Sequence, residues 1–368
     1  MAIKNVKKFF FVSLITYLLV ELICFLFIKV KFKTAHFPEF TFEYNYSGYP
    51  FPFAEINPVW GTWHYPEDYT EKRSCFESTY HINLFGARDK ERSKVGDTNR
   101  ILFLGDSFIE GFGLKAEERV TNQLEQLTGR EVLNFGCGYF TPTQSFLVYE
   151  KLAKQFSHNT VVLGVLPFND LAEDDTSFHE KDKFIHYQPY FQGISPDYQL
   201  IYRQDDLSKS TFNKEGFKAL QNTRKERISR FLKSFTFWYN IYGYIKNKKS
   251  VTTNGKPYSG YYDFTKPQVD KLKFIIKKLQ VSALGKQLIV ISLPVLNDFL
   301  RLKEKRVAPL VSELALYCNT NNIIYVDLLT QLNKKSADPS TLYLSCDGHW
   351  NAEANRMATE ILLPLLRK

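Results

Sequence analysis

The chain is poor in glycine and proline and lacks sequence patterns that bind metals, and these absences exclude several classes of protein. Glycine and proline number only 18 and 15 of 368 residues, so a collagen-like or low-complexity chain is excluded. The five cysteines form no Cys-x-x-Cys pair and no Cys/His spacing typical of a metal site. We therefore expect no metal and no cofactor. An apolar share of 44% and a charged share of 24% indicate a globular protein with a real core, and exclude a disordered or polytopic chain.

The net charge of +9 would suit a nucleic-acid partner, but the excess of positive charge is confined to two segments. The positive charge is concentrated in residues 1–33 and 214–249, and the rest of the chain is slightly acidic. A nucleic-acid-binding protein needs a basic face together with a reading motif, and no such motif is present. We therefore expect no nucleic-acid partner.

One long apolar run lies at the N-terminus. Residues 9–28, FFFVSLITYLLVELICFLFI, are numerous enough for a helix that crosses a bilayer. A cleaved signal peptide is shorter and ends in a small-residue site, for which Lys33-Thr34-Ala35 is a poor candidate. Three lysines flank the run on each side, so charge says little about orientation. We expect a retained single-pass anchor with the bulk of the chain extracytoplasmic, and a protonated Glu21 shielded by a neighbouring helix.

The remaining chain divides into a lead-in and a main domain. Residues 34–98 are aromatic and rich in proline, which favours an irregular segment with short strands. From residue 99 to 368 strands alternate with helices, apart from an insert at 171–266. Strands are predicted at 100–105, 131–136, 160–167, 287–294 and 323–329, and helices at 116–127, 143–156, 267–284, 306–319 and 352–366. Five such alternations predict a parallel sheet with helices on both faces, an α/β fold.

The insert contains a basic amphipathic stretch. Apolar residues at helical spacing predict a helix over 222–247, with arginines and lysines on its other side. Two interpretations stay open. The helix packs its apolar stripe on the protein, as most amphipathic helices do, or it binds an anionic membrane or polymer.

Residues with side chains or backbone groups suited to catalysis follow several of the predicted strands. They lie at the carboxyl edge of the sheet, where ligands bind in α/β folds of this kind. Ser107 follows the first strand, where a turn into a helix exposes its hydroxyl and helix-terminal amides favour an oxyanion. Gly138 follows the second strand and offers a backbone N–H, while Asn169 follows the third and offers a side-chain amide. Before the last helix, Asp347 and His349 are a candidate orienting carboxylate and base for a serine.

These blocks together resemble the SGNH or GDSL hydrolase superfamily over 99–170 and 285–366. Its blocks match Gly105-Asp106-Ser107, Asn134–Gly138, Asn169-Asp170 and Asp347-Gly-His349. The resemblance implies a flavodoxin-like three-layer αβα sandwich. It also implies Ser107 as nucleophile, His349 as general base, Asp347 as orienting carboxylate, and an oxyanion hole of Ser107, Gly138 and Asn169.

Three departures from the family pattern accompany the resemblance. The last block is Asp-x-His-Trp rather than Asp-x-x-His, which is similar to membrane-associated members that acetylate exopolysaccharides. Pro167 stands where the family has glycine, and the glycine block is one residue short, so Gly136 rivals Gly138. The lead-in Gly86-Ala-Arg-Asp89 is similar to single-span bacterial members of unassigned substrate.

Three functions follow as hypotheses. The first is a membrane-anchored serine esterase. Its substrate would be an acylated small molecule or, as the favoured class, a glycan that carries acetyl groups. The second is an O-acetyltransferase that modifies a surface or exported polysaccharide through the same acyl-enzyme. The third is a binding subunit that keeps the hydrolase fold without catalysis. Cys137 and Cys346 flank site residues and are predicted to lie close together, with their pairing open. The oligomeric state is not indicated.

Overall fold

A computed structural model describes residues 2–30, 38, 40, 54–73, 75–174, 187–211, 213–250, 252–253, 256–304 and 307–367. The chain divides into two compact units. The larger unit comprises 47–218, 258–344 and 348–368, and the smaller comprises 1–46, 219–257 and 345–347. The sequence-based division into anchor, lead-in and main domain stays a prediction, and the candidate cleavage site at 33–35 lies outside the described residues.

Thirteen strands are present in the described residues. In chain order they are β1 Ala54–Asn57, β2 Gly61–His64, β3 Tyr69–Arg73, β4 Phe76–Tyr80, β5 Ile101–Leu104, β6 Val132–Asn134, β7 Thr160–Val165, β8 Tyr190–Ile194, β9 Asp197–Ile201, β10 Thr252–Thr253, β11 Lys256–Pro257, β12 Gln287–Ser292 and β13 Ile324–Asp327.

Five of these strands form the parallel sheet that the sequence predicts. The order across the sheet is β13-β12-β7-β5-β6, with every neighbouring pair parallel. Renumbered along the chain, this is the 2-1-3-4-5 order of flavodoxin-like folds. Every residue of β5, β6 and β7 is buried, which explains why these strands are continuous apolar runs rather than alternating ones.

Fourteen α-helices accompany the strands in the part of the chain that the structure describes. They are α1 Ala2–Val30, α2 Ser107–Glu110, α3 Val120–Thr128, α4 Pro142–Lys151, α5 Pro167–Glu173, α6 Gln204–Lys209, α7 Lys214–Gln221, α8 Arg224–Phe235, α9 Phe237–Ser250, α10 Lys266–Ser282, α11 Leu296–Glu304, α12 Pro309–Thr320, α13 Leu328–Lys335 and α14 Ala352–Leu366.

Helices cover both faces of the sheet. The strands β6 and β7 lie on opposite sides of β5, so the chain reverses its direction across the sheet between the first two crossovers. Because such crossovers are right-handed, α3 and α4 lie on opposite faces. The helix α14 packs against α3, and α10 packs against α4. The predicted three-layer αβα sandwich is confirmed.

The lead-in protects an edge of the sheet. The strand β6 is an edge strand, whose outer backbone groups would otherwise be unpaired. The Asp89 carboxylate accepts the Asn134 N–H at 3.2 Å, and the Arg92 guanidinium donates to the Val132 carbonyl at 2.9 Å. Arg92 also pairs with Asp89 at 2.9 Å. The residues just before the main domain are therefore part of its packed structure.

The smaller unit contains α1, α8 and α9. The apolar stretch Val6–Lys29 of α1 is long and apolar enough to cross a membrane, and 6% of it is buried within the protein. The single helix predicted over 222–247 is wrong. Thr236 has an extended backbone and separates α8 from α9, because its own side chain and N–H both bond the Leu232 carbonyl and end α8 there.

Candidate active site

Ser107 is the first residue of the short helix α2, directly after the buried strand β5. Gly105 makes the turn between them at a φ of +154°, where a Cβ would lie 2.5 Å from the Ile109 side chain. The Asp106 carboxylate accepts the Phe108 N–H at 3.0 Å and caps the helix. The turn therefore presents the half-buried Ser107 side chain at the carboxyl edge of the sheet.

His349 lies next to this serine, although 242 residues separate them in sequence. The distance from Ser107 Oγ to His349 Nε2 is 2.8 Å. The rings of Phe108 and Phe112 lie 5.0 and 4.5 Å from the imidazole and restrict its position. A neutral imidazole with its proton on Nδ1 accepts the serine proton at Nε2, the geometry that activates a serine nucleophile.

Two aromatic side chains fix the loop that carries His349. The Tyr343 hydroxyl and the Trp350 indole N–H both donate to the Pro294 carbonyl, at 3.0 and 3.1 Å. Pro294 follows β12, so the loop is attached to the end of a core strand. The Leu344 N–H donates to the His349 carbonyl at 2.9 Å and closes the turn over 345–348.

Asp347 lies in that turn and is half-buried. Its predicted role as the carboxylate that orients His349 stays a prediction. The neighbouring Cys346 is disulfide-bonded, as is Cys75, whereas Cys24, Cys137 and Cys318 are free thiols. The open question of a Cys137–Cys346 bridge is thus answered, because Cys137 does not pair.

The loop after β6 that contains Gly136 and Gly138, the glycine loop, packs tightly on the helix α2. A Cβ on Gly136 would lie 2.6 Å from the Glu110 backbone nitrogen, so only glycine permits this approach. The Gly138 N–H, the predicted oxyanion donor, donates to Glu110 Oε2 at 2.6 Å. The rival Gly136 N–H donates to Asn134 Oδ1 at 2.9 Å. Both candidate glycine amides therefore already have an acceptor in this structure.

Glu110 is a fully buried carboxylate at the end of α2. His64 Nε2 lies 3.4 Å from its Oε1, and His64 Nδ1 lies 2.9 Å from the Gly86 carbonyl. Burial raises the pKa of Glu110, but His64, the Arg88 charge and the Gly138 N–H outweigh it, so the pKa is below its ordinary value. The group is therefore an ionised acceptor that holds the glycine loop.

Asn169 lies in the first turn of α5, which follows β7. Its side chain is half-buried, and its Oδ1 is buried without a hydrogen-bond partner. Strands β5, β6 and β7 are neighbours and parallel, so Ser107, the glycine loop and Asn169 follow the same edge of the sheet. The structure brings Ser107 and His349 into contact.

Two buried carboxyls lie beneath this edge. Burial raises the pKa of Asp106 to about 6, although the Phe108 N–H and His349 act in the opposite direction and lower this pKa. Burial and the negative charge of Asp106 raise the pKa of Asp170 well above its ordinary value. Asp106 Oδ2 and Asp170 Oδ1 are both without hydrogen-bond partners. Protonation of at least one of the pair is therefore favoured at neutral pH.

Arg88 secures the C-terminal end of the helix α2. Its buried guanidinium donates to the carbonyls of Gly111 and Leu114 at 2.5 and 2.6 Å, and lies 3.4 Å over the Tyr80 ring. These carbonyls belong to the chain that leaves α2, so Arg88 fixes where the helix ends. Its charge also faces the Glu110 carboxylate.

The sequence reasoning missed Glu110, His64 and Arg88 as parts of the site. Glu110 is an ordinary acidic residue three positions after Ser107. His64 is one of the seven histidines of the chain, and no acidic residue lies next to it in the sequence. Only Arg88 had a signal, as part of Gly86-Ala-Arg-Asp89 in the lead-in. Three of its four hydrogen bonds go to backbone carbonyls, which no side-chain pattern can indicate.

Comparisons with known proteins give distant structural similarity. No family model matches the chain, and no curated protein matches it. A member of the lipolytic G-D-S-L family from Veillonella parvula is 12% identical, over 72% of this chain and 97% of that one, at a TM-score of 0.37. A catalytic mutant of an acetylxylan esterase from Geobacillus stearothermophilus is 12% identical, over 74% and 96%, at a TM-score of 0.40.

Proposed function

We propose that this chain is a serine esterase of the SGNH or GDSL type that removes acyl groups from esters. The observation that carries the proposal is the 2.8 Å contact between Ser107 Oγ and His349 Nε2 at the carboxyl edge of the sheet. A hydroxyl needs an adjacent base before it attacks a carbonyl, and this contact supplies one. The third member, Asp347, would accept a hydrogen bond from the Nδ1–H of His349 and stabilise the imidazolium.

The reaction proceeds in two acyl transfers. Ser107 Oγ forms a bond to the ester carbonyl carbon while its proton passes to His349 Nε2. His349 returns that proton to the leaving alcohol as the carbon–oxygen bond breaks, which leaves an acyl-serine. Water then attacks the acyl-serine by the same route, and releases the acid and the free serine.

Developing negative charge on the carbonyl oxygen needs hydrogen-bond donors. Ser107 is at the first position of α2, where backbone N–H groups have no acceptor within the helix. We assign this N–H and the Asn169 side-chain amide as the donors in the reacting state. The Gly138 N–H would be a third donor only after its hydrogen bond to Glu110 breaks, because one N–H donates to one strong acceptor at a time.

The substrate class we propose is an acylated glycan, with catalysis outside the cytoplasm. The apolar helix α1 would hold the protein at the membrane. The disulfide-bonded state of Cys75 and Cys346 supports an oxidising compartment, since cytosolic thiols are kept reduced.

The test follows 4-nitrophenyl acetate turnover by the full chain in detergent. Ser107→Ala should reduce the rate at least 1000-fold, whereas the control Ser208→Ala, at an exposed serine on α6, should leave it unchanged. Equal rates for Ser107→Ala and the parent would contradict the proposal. Addition of a glycan acceptor distinguishes hydrolysis from transfer: an esterase releases acetate at the same rate with or without it.

A further inference from the structure

The apolar helix α1 carries one acidic residue, and that residue bonds another helix. Glu21 Oε2 accepts the backbone N–H of Phe237, the first residue of α9, at 2.6 Å. The rings of Phe25 and Phe237 meet edge to face at 5.3 Å between centroids. A carboxylate at a helix N-terminus satisfies an N–H that has no partner within the helix and complements the helix dipole. Glu21 therefore attaches α9 to α1.

The position of Glu21 along α1 sets the depth of this contact in a bilayer. Glu21 precedes Lys29, the end of the apolar stretch, by eight residues, a rise of about 12 Å along a helix. Trp238, the next residue of α9, lines a groove on α1 with Val12, Thr16 and Val20. If α1 spans a membrane, as proposed above, the start of α9 lies at the depth of the acyl chains.

The corner between α8 and α9 suits such a depth because its backbone groups are paired by the protein. In lipid no water replaces a missing hydrogen bond. The Asn240 amide donates to the carbonyls of Lys233 and Thr236, both at 2.8 Å, and the Thr236 N–H donates to the Leu232 carbonyl. Glu21 completes the set by accepting from Phe237.

The outer surface of α8 has the composition of a membrane interface. Ile228 and Phe231 are about half exposed, at 51% and 52%. Exposed basic residues accompany them on the same helix, namely Arg224, Lys225 and Arg227. Basic residues beside exposed apolar ones favour the headgroup region of an anionic bilayer.

We propose that α8 and α9 form a membrane-inserted helical corner that docks on the anchor. In this arrangement α9 lies against α1 at acyl-chain depth from Phe237 onward, and α8 runs from the headgroup region of an anionic leaflet down to that depth. The cost of Glu21 within the membrane is offset because the carboxylate caps α9. The corner is independent of the proposed esterase activity and rests only on a retained, membrane-spanning α1.

Trp238 fluorescence tests the proposal in the full chain, reconstituted in vesicles of 70% phosphatidylcholine and 30% phosphatidylglycerol. The Trp238 signal is the difference between the parent and Trp238→Phe. We expect lipids brominated on their acyl chains to reduce that difference signal at least twofold, and aqueous iodide to leave it unchanged. Quenching by iodide without quenching by brominated lipid would overturn the proposal.

Two variants of Glu21 test the docking contact. Glu21→Gln keeps an acceptor oxygen for the Phe237 N–H and should retain the acyl-chain quenching of Trp238. Glu21→Leu removes the acceptor and should lose at least half of that quenching, although it makes α1 more apolar. Equal quenching in both variants would contradict the role of Glu21.

A dye attached to α8 tests whether this helix prefers an anionic leaflet. Phe231→Cys in a Cys24→Ser background, labelled with an environment-sensitive dye, should shift its emission to the blue in the mixed vesicles. The shift should be smaller in phosphatidylcholine alone, and absent for the control Leu284→Cys on the larger unit, where Leu284 is 86% exposed. An equal shift in both vesicles would contradict the anionic preference.

Discussion

The backbone N–H of Gly138 donates to the buried carboxylate of Glu110 at 2.6 Å. This bond attaches the glycine loop after β6 to the last residue of the helix α2. The same N–H is the one that the resemblance assigns to the oxyanion hole. In the proposed reaction, the Glu110 carboxylate would therefore compete with the oxyanion for this donor.

We predict that Glu110→Gln destabilises the protein, because it leaves His64 without the carboxylate that faces it. The expected loss in the free energy of unfolding is about 3 kcal/mol, typical of the removal of a buried ionised group from its partners, here His64, Arg88 and the Gly138 N–H. Denaturant unfolding of the parent, Glu110→Gln, His64→Gln and the double variant gives the coupling. The double variant should lose clearly less than the two single losses combined. Simple additivity would show that the two side chains do not interact.

The buried Asp106 should make stability depend on pH. Its pKa of about 6 is raised above the unfolded value of 3.8, so the folded protein favours the protonated form. This contribution is fully present below pH 3.8 and is lost as pH rises through 6. Asp106→Asn should therefore gain stability over the parent from pH 4 to pH 8, by at most about 3 kcal/mol.

Thermal unfolding at several pH values measures this effect. The asparagine oxygen can still accept the Phe108 N–H, so the cap is retained. The control Asp205→Asn changes an exposed carboxylate on α6 and should follow the parent at every pH. Parallel curves for Asp106→Asn and the parent would contradict a raised pKa at Asp106.

Arg88 should be required for the placement of Ser107, and lysine should not replace it. A lysine ammonium lacks the planar fork that reaches the carbonyls of Gly111 and Leu114 together. We expect Arg88→Lys to lower kcat for 4-nitrophenyl acetate at least tenfold while KM changes less than threefold. The free energy of unfolding should fall by about 2 kcal/mol. A fall in stability with unchanged kcat would limit Arg88 to a structural role.

Thiol titration tests the placement of the chain in an oxidising compartment. In denaturant without reductant the purified chain should show three thiols, from Cys24, Cys137 and Cys318. After reduction it should show five, the total in the sequence. Five alkylated cysteines in protein treated with an alkylating reagent at cell lysis, before any reduction, would contradict an extracytoplasmic location.

The sequence predicts the main sheet well because burial makes its strands distinctive. All five parallel strands are found near their predicted positions, since a strand buried on both faces is a short apolar run between polar turns. The boundaries of the last strand differ. The structure ends β13 at Asp327, because the Asp327 carboxylate caps α13 by accepting the Thr330 N–H. The sequence alone does not show that Asp327 caps a helix, because apolar residues lie on both sides of it, and the predicted strand therefore continues to residue 329.

The site is less predictable, because it depends on contacts between distant segments. The pairing of Ser107 with His349 was predicted from their positions beyond strand ends and from the resemblance. The engagement of Gly138 by Glu110 was not predicted, since nothing in the sequence shows that α2 ends after one turn and directs Glu110 inward. The break at Thr236 was missed for a similar reason, because the apolar spacing continues through it.

The most direct test of the central claim is covalent labelling of Ser107. The full chain in detergent is treated with a fluorophosphonate, and the modified peptide is identified by mass spectrometry. We predict one adduct on Ser107, loss of labelling in Ser107→Ala, and at least 100-fold slower labelling in His349→Gln with the fold intact by circular dichroism. Absence of labelling in the folded parent, or equal labelling in His349→Gln, would contradict a serine nucleophile activated by His349.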